Sequence, residues 1–458
     1  MNEKVSAYFD GLRGKRIAVL GIGVSNRPLI RMLLDRGLTV LACDKTSRDK
    51  LDEEVLELEK LGATLHVGDG YLDGVQADIV FRTPGMHPDI PALKQLREAG
   101  AVVTSEMEAF FAVCPCRIIG VTGSDGKTTT TTLISEILKH AGYTVWLGGN
   151  IGTPLLPRAE EMNPGDIAVV ELSSFQLMGM TQSADIAVVT NLAPNHLDVH
   201  KDMAEYIAAK ENMYLHQGKT GKLVVNMDNE ITNSFAEKAP GTVEKFSRLG
   251  RPQNGVWLEN GIIYRNGREI MPAADIKIPG VHNIENYMAA ACATEGLVSD
   301  ADVDAVARNF GGVEHRIELV RELHGVKYYN DSIASSPSRT IAGLHSFTQK
   351  VILIAGGYDK HIPFDVLGPE ICAHVKTLVL CGATAGKIRA AVENAPEYHE
   401  GEPQILEAKN LREAVELAKN AAAAGDIVTL SPACAAFDQF KNFAVRGKTF
   451  KEIVNSLT

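Results

Sequence analysis

No stretch of this chain comes near the ~18 consecutive apolar residues that a bilayer-crossing helix needs, so no membrane insertion is expected. Cationic residues are also in deficit: 46 Lys and Arg stand against 57 Asp and Glu, a formal net charge of −11. That balance excludes wholesale binding to nucleic acid or to an anionic membrane, though not anion binding in one cleft where cations gather. Cysteine is sparse: seven residues, at 43, 114, 116, 292, 372, 381 and 434, are odd in number and scattered. Only Cys114 and Cys116 lie close in sequence, and no second pair completes a tetrahedral zinc site. Their apolar settings, as in VLAC and LVLC, predict buried, reduced thiols. The opening residues, MNEKVSAYFDGLRGKR, are too charged for a secretory leader. Together these absences predict a cytoplasmic protein.

What is present is material for several cores, with 45% apolar residues in 458, which predicts two or three domains. The dominant rhythm is a short β-branched run, a Gly-rich turn and a helix-like segment. It is seen in KRIAVLGIG, LTVLACD and ADIVFRTPG, then in RIIGVTGSDGK, GDIAVVELSS and ADIAVVTNLAP. It returns in KVILIAGGYDK, KTLVLCG and GDIVTLSPA. Near-continuous Val/Ile/Leu runs between helical patterns predict parallel sheets covered on both faces, an α/β fold. The runs fall into three groups, predicting domains over residues 1–105, 106–312 and 313–458. GVWLENGIIYRNGREI, with its Asn-Gly pairs, predicts a small antiparallel hairpin within the second. KNFAVRGKTF reads as a helix end with core phenylalanines.

VTGSDGKTTT, residues 121–130, sits where a strand meets a helix. Gly123 and Gly126 let backbone N–H groups crowd an anion, and the helix start adds oriented amides. Lys127 can reach phosphate oxygens and Thr128 can ligate Mg²⁺. Ser124, Asp125 and Thr129 complete the loop. Val121 stands where the usual phosphate-loop pattern has its first glycine. Two later apolar runs end in Glu171 and in Asn191, His196 and Asp198, at the strand edges where open sheets bind ligands.

VLGIGVSNRPLIRMLLDRGLTVLACD has the Gly21 and Gly23 of a dinucleotide fingerprint, with Asp44 at the end of the next run, but Asn26 in place of the third glycine. A nicotinamide-dependent oxidoreductase would leave GSDGKT unexplained.

Segments in order along essentially the whole chain resemble the Mur ligases. They include VTGSDGKTTT, GGNIGTP, ELSSFQL, NLAPNHLDVH, PGVHNIENY, GGVEHRIEL, YYNDSIAS, GGYDKHIPF and SPACAAFDQFKNFAVRG. The last domain carries DQFKNF and lacks the D-N-P-R of the diaminopimelate- or lysine-adding members. The resemblance implies a Rossmann-like first domain, a central P-loop ATPase-type domain and a Rossmann-like last domain. It implies an ATP-dependent amide ligase that adds D-glutamate to UDP-N-acetylmuramoyl-L-alanine through an acyl phosphate, in peptidoglycan precursor synthesis. A monomer is expected.

Site roles follow from the same resemblance. Lys127, Glu171, His196 and Lys210 would be catalytic, and Thr128, Glu171, His196 and a carbamylated Lys210 would hold two Mg²⁺. Asn283, Asn286, Arg316 and Asp331 would join the phosphate loop around ATP. Gly23, Val24, Ser25, Asp44, Lys45 and Thr46 would line the UDP site, with Asn150, Ser173 and His196 nearer the muramoyl group. Lys360, Ala436, Phe437 and Phe443 would face D-glutamate. Ile333 stands where many relatives carry Lys, so the charge that lysine supplies must come from elsewhere. A hinge near residues 311–316 is expected.

Overall fold

The computed structural model describes residues 3–194, 199–360 and 362–458. Three sheets form in sequence. The first holds β1 (Ile17–Leu20), β2 (Val40–Asp44), β3 (Thr64–Val67), β4 (Ile79–Arg82) and β5 (Val102–Thr104), all parallel, in the order β3-β2-β1-β4-β5. The second holds β6 (Arg117–Thr122), β7 (Val145–Gly149), β8 (Ile167–Glu171), β9 (Ile186–Val189), β10 (Lys222–Asn226) and β11 (Thr242–Ser247). It continues through β12 (Gly255–Glu259), β13 (Ile262–Arg265) and β14 (Arg268–Pro272), in the order β14-β13-β12-β11-β10-β9-β6-β8-β7. The third holds β15 (Glu318–Leu323), β16 (Val326–Asn330), β17 (Val351–Ala355), β18 (Val375–Cys381), β19 (Gln404–Ala408) and β20 (Ile427–Leu430). Its order is β15-β16-β20-β17-β18-β19, antiparallel only at β15.

The apolar runs are the central strands. Every residue of β1, β8, β9 and β17 is buried, because helices cover both faces of these sheets. The order makes β1, β6 and β17 the strands where the winding reverses, the place where open α/β sheets leave a crevice at their carboxyl ends. The Gly21–Gly23 turn, the phosphate loop and GGYDK follow these three strands.

Each sheet falls within one of the three segments expected, but compactness divides the chain into two units. Residues 1–273 and 285–306 form one, and residues 274–284 and 307–458 the other. The first two sheets share an apolar core that includes Phe81, Phe110, Leu156 and Tyr206. The expected hairpin is a three-stranded meander, β12-β13-β14, on the end of the second sheet. Its Asn260-Gly261 and Asn266-Gly267 turns have φ of 51°, 79°, 48° and 86°, the positive pairs that tight hairpins require. The helix Phe443–Ser456 does begin in KNFAVRGKTF, with Asn442 capping it through Val445 N. Phe450 lies in the core as expected. Phe443 does not: as the first helical residue it is 38% exposed.

The seven cysteines are all free and buried. No helix among the described residues is long and apolar enough to cross a membrane. Within the expected hinge segment, His315 has φ of 65°, and the neighbouring Ile317 has φ of 43°. Left-handed conformations in such side chains, the second of them β-branched, store strain that the surroundings must hold.

Candidate active site

The phosphate loop connects β6 to the helix Lys127–His140 and is strapped to the end of the adjacent β9. Ser124 N donates to Asn191 O (2.9 Å) and Asp125 N to Asn191 Oδ1 (2.8 Å). Thr190 Oγ1 donates to Asp125 O at 2.6 Å. Gly123 has φ of 149°, and a Cβ there would lie 1.9 Å from Thr190 Oγ1. Gly126, the helix cap, has φ of 75°, and a Cβ there would meet Asn286 Oδ1 at 2.3 Å. Both glycines are therefore required by close approach as well as by conformation. The Thr run is a poor intrinsic helix former, yet Thr131 and Thr132 return their hydroxyls to the carbonyls of Lys127 and Thr128, each at 2.8 Å. Asn286 Oδ1 also accepts from Thr130 Oγ1 at 3.2 Å, which fastens the helix Val281–Ala293 to this one.

Three candidate side chains converge beside the loop. Glu171 ends β8 and is 1% exposed. Its Oε1 accepts from Asn150 Nδ2 at 2.7 Å, while Oε2 is buried with no hydrogen-bond partner among the described residues. A carboxylate oxygen left so at a sheet edge is the donor a hard divalent cation takes, so the site fits Mg²⁺. Lys210 comes from the helix Met203–Glu211, and it too is only 1% exposed. Its Nζ donates to Thr122 Oγ1 (3.0 Å) and Gly123 O (2.9 Å) and lies 5.0 Å from the Tyr206 ring centroid. Burial, and then the nearby Lys127 charge, push its pKa well below that of an ordinary lysine, with Glu171 opposing. Lys127 Nζ donates to Gly123 O (3.0 Å) and Ser124 O (2.9 Å).

His200 holds this cluster and was not singled out from the sequence. It is 2% exposed, its Nε2 lies 2.8 Å from Ser174 Oγ, and it stacks on Phe175 and meets Tyr206 edge-on. It thus joins the ELSS turn to the helix that carries Lys210. Ser173 caps the short helix Ser174–Leu177 in a reciprocal box with Gln176. His196 and Asp198 lie outside the described residues.

In the first sheet, the Asp44 carboxylate ends β2 and reaches the turn after β1. It accepts from Ile22 N (2.7 Å) and Thr46 N (2.9 Å). Burial alone would raise its pKa, but these backbone donors outweigh that and hold it below the usual value. Asn26, in place of a third glycine, is buried and donates Nδ2 to Gly21 O at 2.8 Å, so it closes the turn with a side chain. Val24 projects from this turn, 82% exposed, beside Gly23 and the helix-capping position of Ser25. Lys45 follows Asp44 directly.

The second compact unit carries the remaining candidates. Asp331 follows β16, is 4% exposed, and accepts from Ser431 Oγ (2.7 Å) and Ile317 N (3.3 Å). Burial raises its pKa to about 7, against the lowering effects of Ser431 and Arg316. Arg316 lies between the strained His315 and Ile317. Asn283 donates Nδ2 to Pro279 O at 2.5 Å. Lys360 is exposed in the turn after β17. Phe437 is exposed against Tyr358, whereas Ala436 beside it is buried. Phe443 meets the His315 ring edge-on at 6.0 Å. Arg339 donates to the Ile333 carbonyl at 3.4 Å, which puts a guanidinium beside the position that lacks lysine.

Arg446 is a second residue that sequence reasoning passed over. Buried, it donates to Ser332 Oγ (3.0 Å), Ser332 O (2.9 Å), Cys434 O (3.0 Å) and Ala435 O (3.1 Å). Burial lowers its pKa to about 10. It staples the turn after β16 to the turn after β20, which carry Asp331 and Ala436.

Known proteins resemble this chain along its whole length. The Mur ligase middle domain matches residues 121–294, and the Mur ligase, glutamate ligase domain matches residues 315–434. UDP-N-acetylmuramoylalanine--D-glutamate ligase of Clostridium botulinum strain Hall is 50% identical over 458 residues, covering 100% of both chains, and that of strain Loch Maree is 51% identical over the same span. Among solved structures, UDP-N-acetylmuramate-alanine ligase MurC from Thermotoga maritima matches with TM-score 0.57 and 18% identity, covering 96% of this chain and 99% of its own. A pseudomurein peptide ligase type C from Methanothermus fervidus matches with TM-score 0.54 and 18% identity, covering 97% and 100%. These two share the fold. The chain belongs to the Mur ligase family.

Proposed function

We propose that this protein joins D-glutamate to UDP-N-acetylmuramoyl-L-alanine, consuming ATP and releasing ADP and phosphate, in the cytoplasmic synthesis of peptidoglycan precursors. One observation carries the reading: the phosphate loop, the buried open oxygen of Glu171 and the buried amine of Lys210 meet at the reversal point of the second sheet. The full-length likeness to ligases of that name supports the choice of substrates.

A carboxylate is a poor electrophile, and transfer of the γ-phosphoryl group to the L-alanyl carboxylate supplies a leaving group. The amine of D-glutamate then attacks the acyl carbon, phosphate departs, and the amide forms. Two anions must first be brought together, so fixed positive groups dominate the task. Lys127, the loop amides of Gly123, Ser124, Asp125 and Gly126, and the helix start that bears Thr128 and Thr129 would hold the β- and γ-phosphates. Mg²⁺ supplies charge neutralisation and orientation when bound. Thr128 and Glu171 would hold one ion, and His196 a second.

Among the described residues Lys210 donates only to the uncharged Thr122 Oγ1 and Gly123 O, and it is buried. A neutral amine there can add CO₂ and lose a proton, giving a carbamate whose oxygens would share the metals. Asn283, Asn286, Arg316 and Asp331 would complete the nucleotide site. Gly23, Val24, Ser25, Asp44, Lys45 and Thr46 would take the uridine diphosphate, and Asn150 and Ser173 would lie towards the muramoyl group. Lys360, Ala436, Phe437 and Phe443 would receive D-glutamate, with Arg339 supplying the cation absent at Ile333. The protein would act as a monomer.

ADP release with ATP, Mg²⁺ and UDP-N-acetylmuramoyl-L-alanine tests the proposal, with D-glutamate, L-glutamate, L-lysine and meso-diaminopimelate supplied separately. Turnover with D-glutamate alone is expected. Turnover with another acceptor, or with none of the four, would overturn it.

A further inference from the structure

The second compact unit carries a cluster that the ligase chemistry does not use. The helix Pro337–Leu344 ends at its cap residue His345, and Glu370 and His374 lie one turn apart on the helix Leu367–His374. His345 Nε2 lies 2.6 Å from Glu370 Oε2, and His374 Nε2 lies 3.6 Å from the same oxygen. The two imidazole centroids are 4.9 Å apart with planes tilted by 56°, so both rings turn a nitrogen towards one carboxylate. One ligand atom from each residue lies within 4.8 Å of the others.

We propose that His345, Glu370 and His374 form a binding site for a divalent transition metal of the zinc type, which ties these two helices together. The donor set is the first argument. Two imidazoles and one carboxylate suit zinc and its neighbours, whereas Mg²⁺ prefers oxygen and keeps its waters. The site therefore does not compete for the metal of the ligase reaction. Reach is the second. Bonds of about 2.0–2.1 Å in a tetrahedron place ligand atoms about 3.4 Å apart, so the observed 2.6 and 3.6 Å need only side-chain rotation to admit an ion. The three side chains are 50%, 32% and 34% exposed, which leaves an entry path and room for water in the fourth position.

Rigidity is the third argument. Each ligand is next in sequence to a core residue: Leu344 before His345, Ile371 after Glu370, and Val375 after His374, none more than 1% exposed. All three belong to one apolar cluster beneath the site. Side chains carried on such anchored backbone hold their separation, which a metal site needs. A surface His–Glu hydrogen bond alone would account for His345 but would not require a second imidazole on the same oxygen.

The test uses the full-length protein, freed of metal by chelation. Zn²⁺ is titrated against a competing chromophoric chelator with Mg²⁺ present, for wild type and for His345→Ala/His374→Ala. Wild type is expected to bind one ion tighter than about 10 µM. The double variant should lose that ion, weakening it by more than the about 10–100-fold that loss of a mere outer-shell partner costs. Cobalt is the second readout: wild type with Co²⁺ should show the strong visible absorption of a low-coordinate site, and the variant should not. Glu370→Gln should weaken both signals. Unchanged ligase turnover without zinc shows that the variants are folded. Equal zinc stoichiometry and affinity in wild type and double variant, or no binding by wild type at that concentration, would overturn the proposal.

Discussion

Lys127 and Lys210 donate to one acceptor, the Gly123 carbonyl, at 3.0 Å and 2.9 Å. Two ammonium groups on one oxygen repel, and the buried one gives way because it also bears the desolvation cost. The folded pKa of Lys210 lies below its unfolded value, so between the two the unfolded chain binds more protons. Stability from this group therefore rises with pH across that window, by about 1.4 kcal/mol per unit at full slope. Lys210→Met should lack the rise and be relatively more stable at lower pH. Melting temperatures of both proteins measured across pH check this, and parallel curves would refute it.

Gly123→Ala should disable the phosphate loop. Its Cβ would overlap Thr190 Oγ1, which itself fastens Asp125, so relief of the clash displaces the strap. A stability loss of about 1–3 kcal/mol is expected. ADP release should fall by about 100-fold or more, as when a key charge-stabilising donor is lost. Thr190→Ala alone, which opens the space, should be milder.

Asp331 titrates in the opposite sense from Lys210. Its folded pKa of about 7 exceeds the ordinary 3.8, so the folded state keeps a proton that the unfolded state has released. The stability this contributes is full below the unfolded value and is lost as pH rises through about 7. Asp331→Asn should remove that decline. Chemical denaturation of both proteins across the same range is the measurement.

Arg446→Met should raise KM for D-glutamate with little change in KM for UDP-N-acetylmuramoyl-L-alanine, since the guanidinium fixes the turns that hold Ala436 and Asp331. Arg446→Lys should rescue poorly, because one ammonium cannot reproduce a planar fork reaching four acceptors. Equal KM values in all three proteins would remove the positioning role.

Much of this was legible in the sequence, and the rest has physical reasons for being hidden. The central strands read clearly because burial on both faces demands continuous apolar runs. The edge strands β3, β5 and β19 did not, since each leaves residues open to solvent and dilutes its pattern. Gly123, Gly126 and Lys127 were readable because a phosphate loop is a local device. Glu171 stood at a strand end. Lys210 was found only through family resemblance, because its partners Thr122 and Gly123 are 88 and 87 residues away. His200 and Arg446 were missed for a related reason. A buried polar residue is explained by the groups that satisfy it, and those lie on other elements.

The central proposal is that Lys210, a buried amine whose pKa lies well below that of an ordinary lysine, is converted to a metal-binding carboxylate. Carbon-13 NMR of the protein equilibrated with ¹³C-bicarbonate tests it most directly, with Lys210→Ala as the reference. A carbamate resonance in wild type, absent from an inactive Lys210→Ala protein whose turnover returns with added short carboxylates, is the predicted result. Full ligase turnover in wild type with no such resonance, or an active Lys210→Ala enzyme, would contradict it.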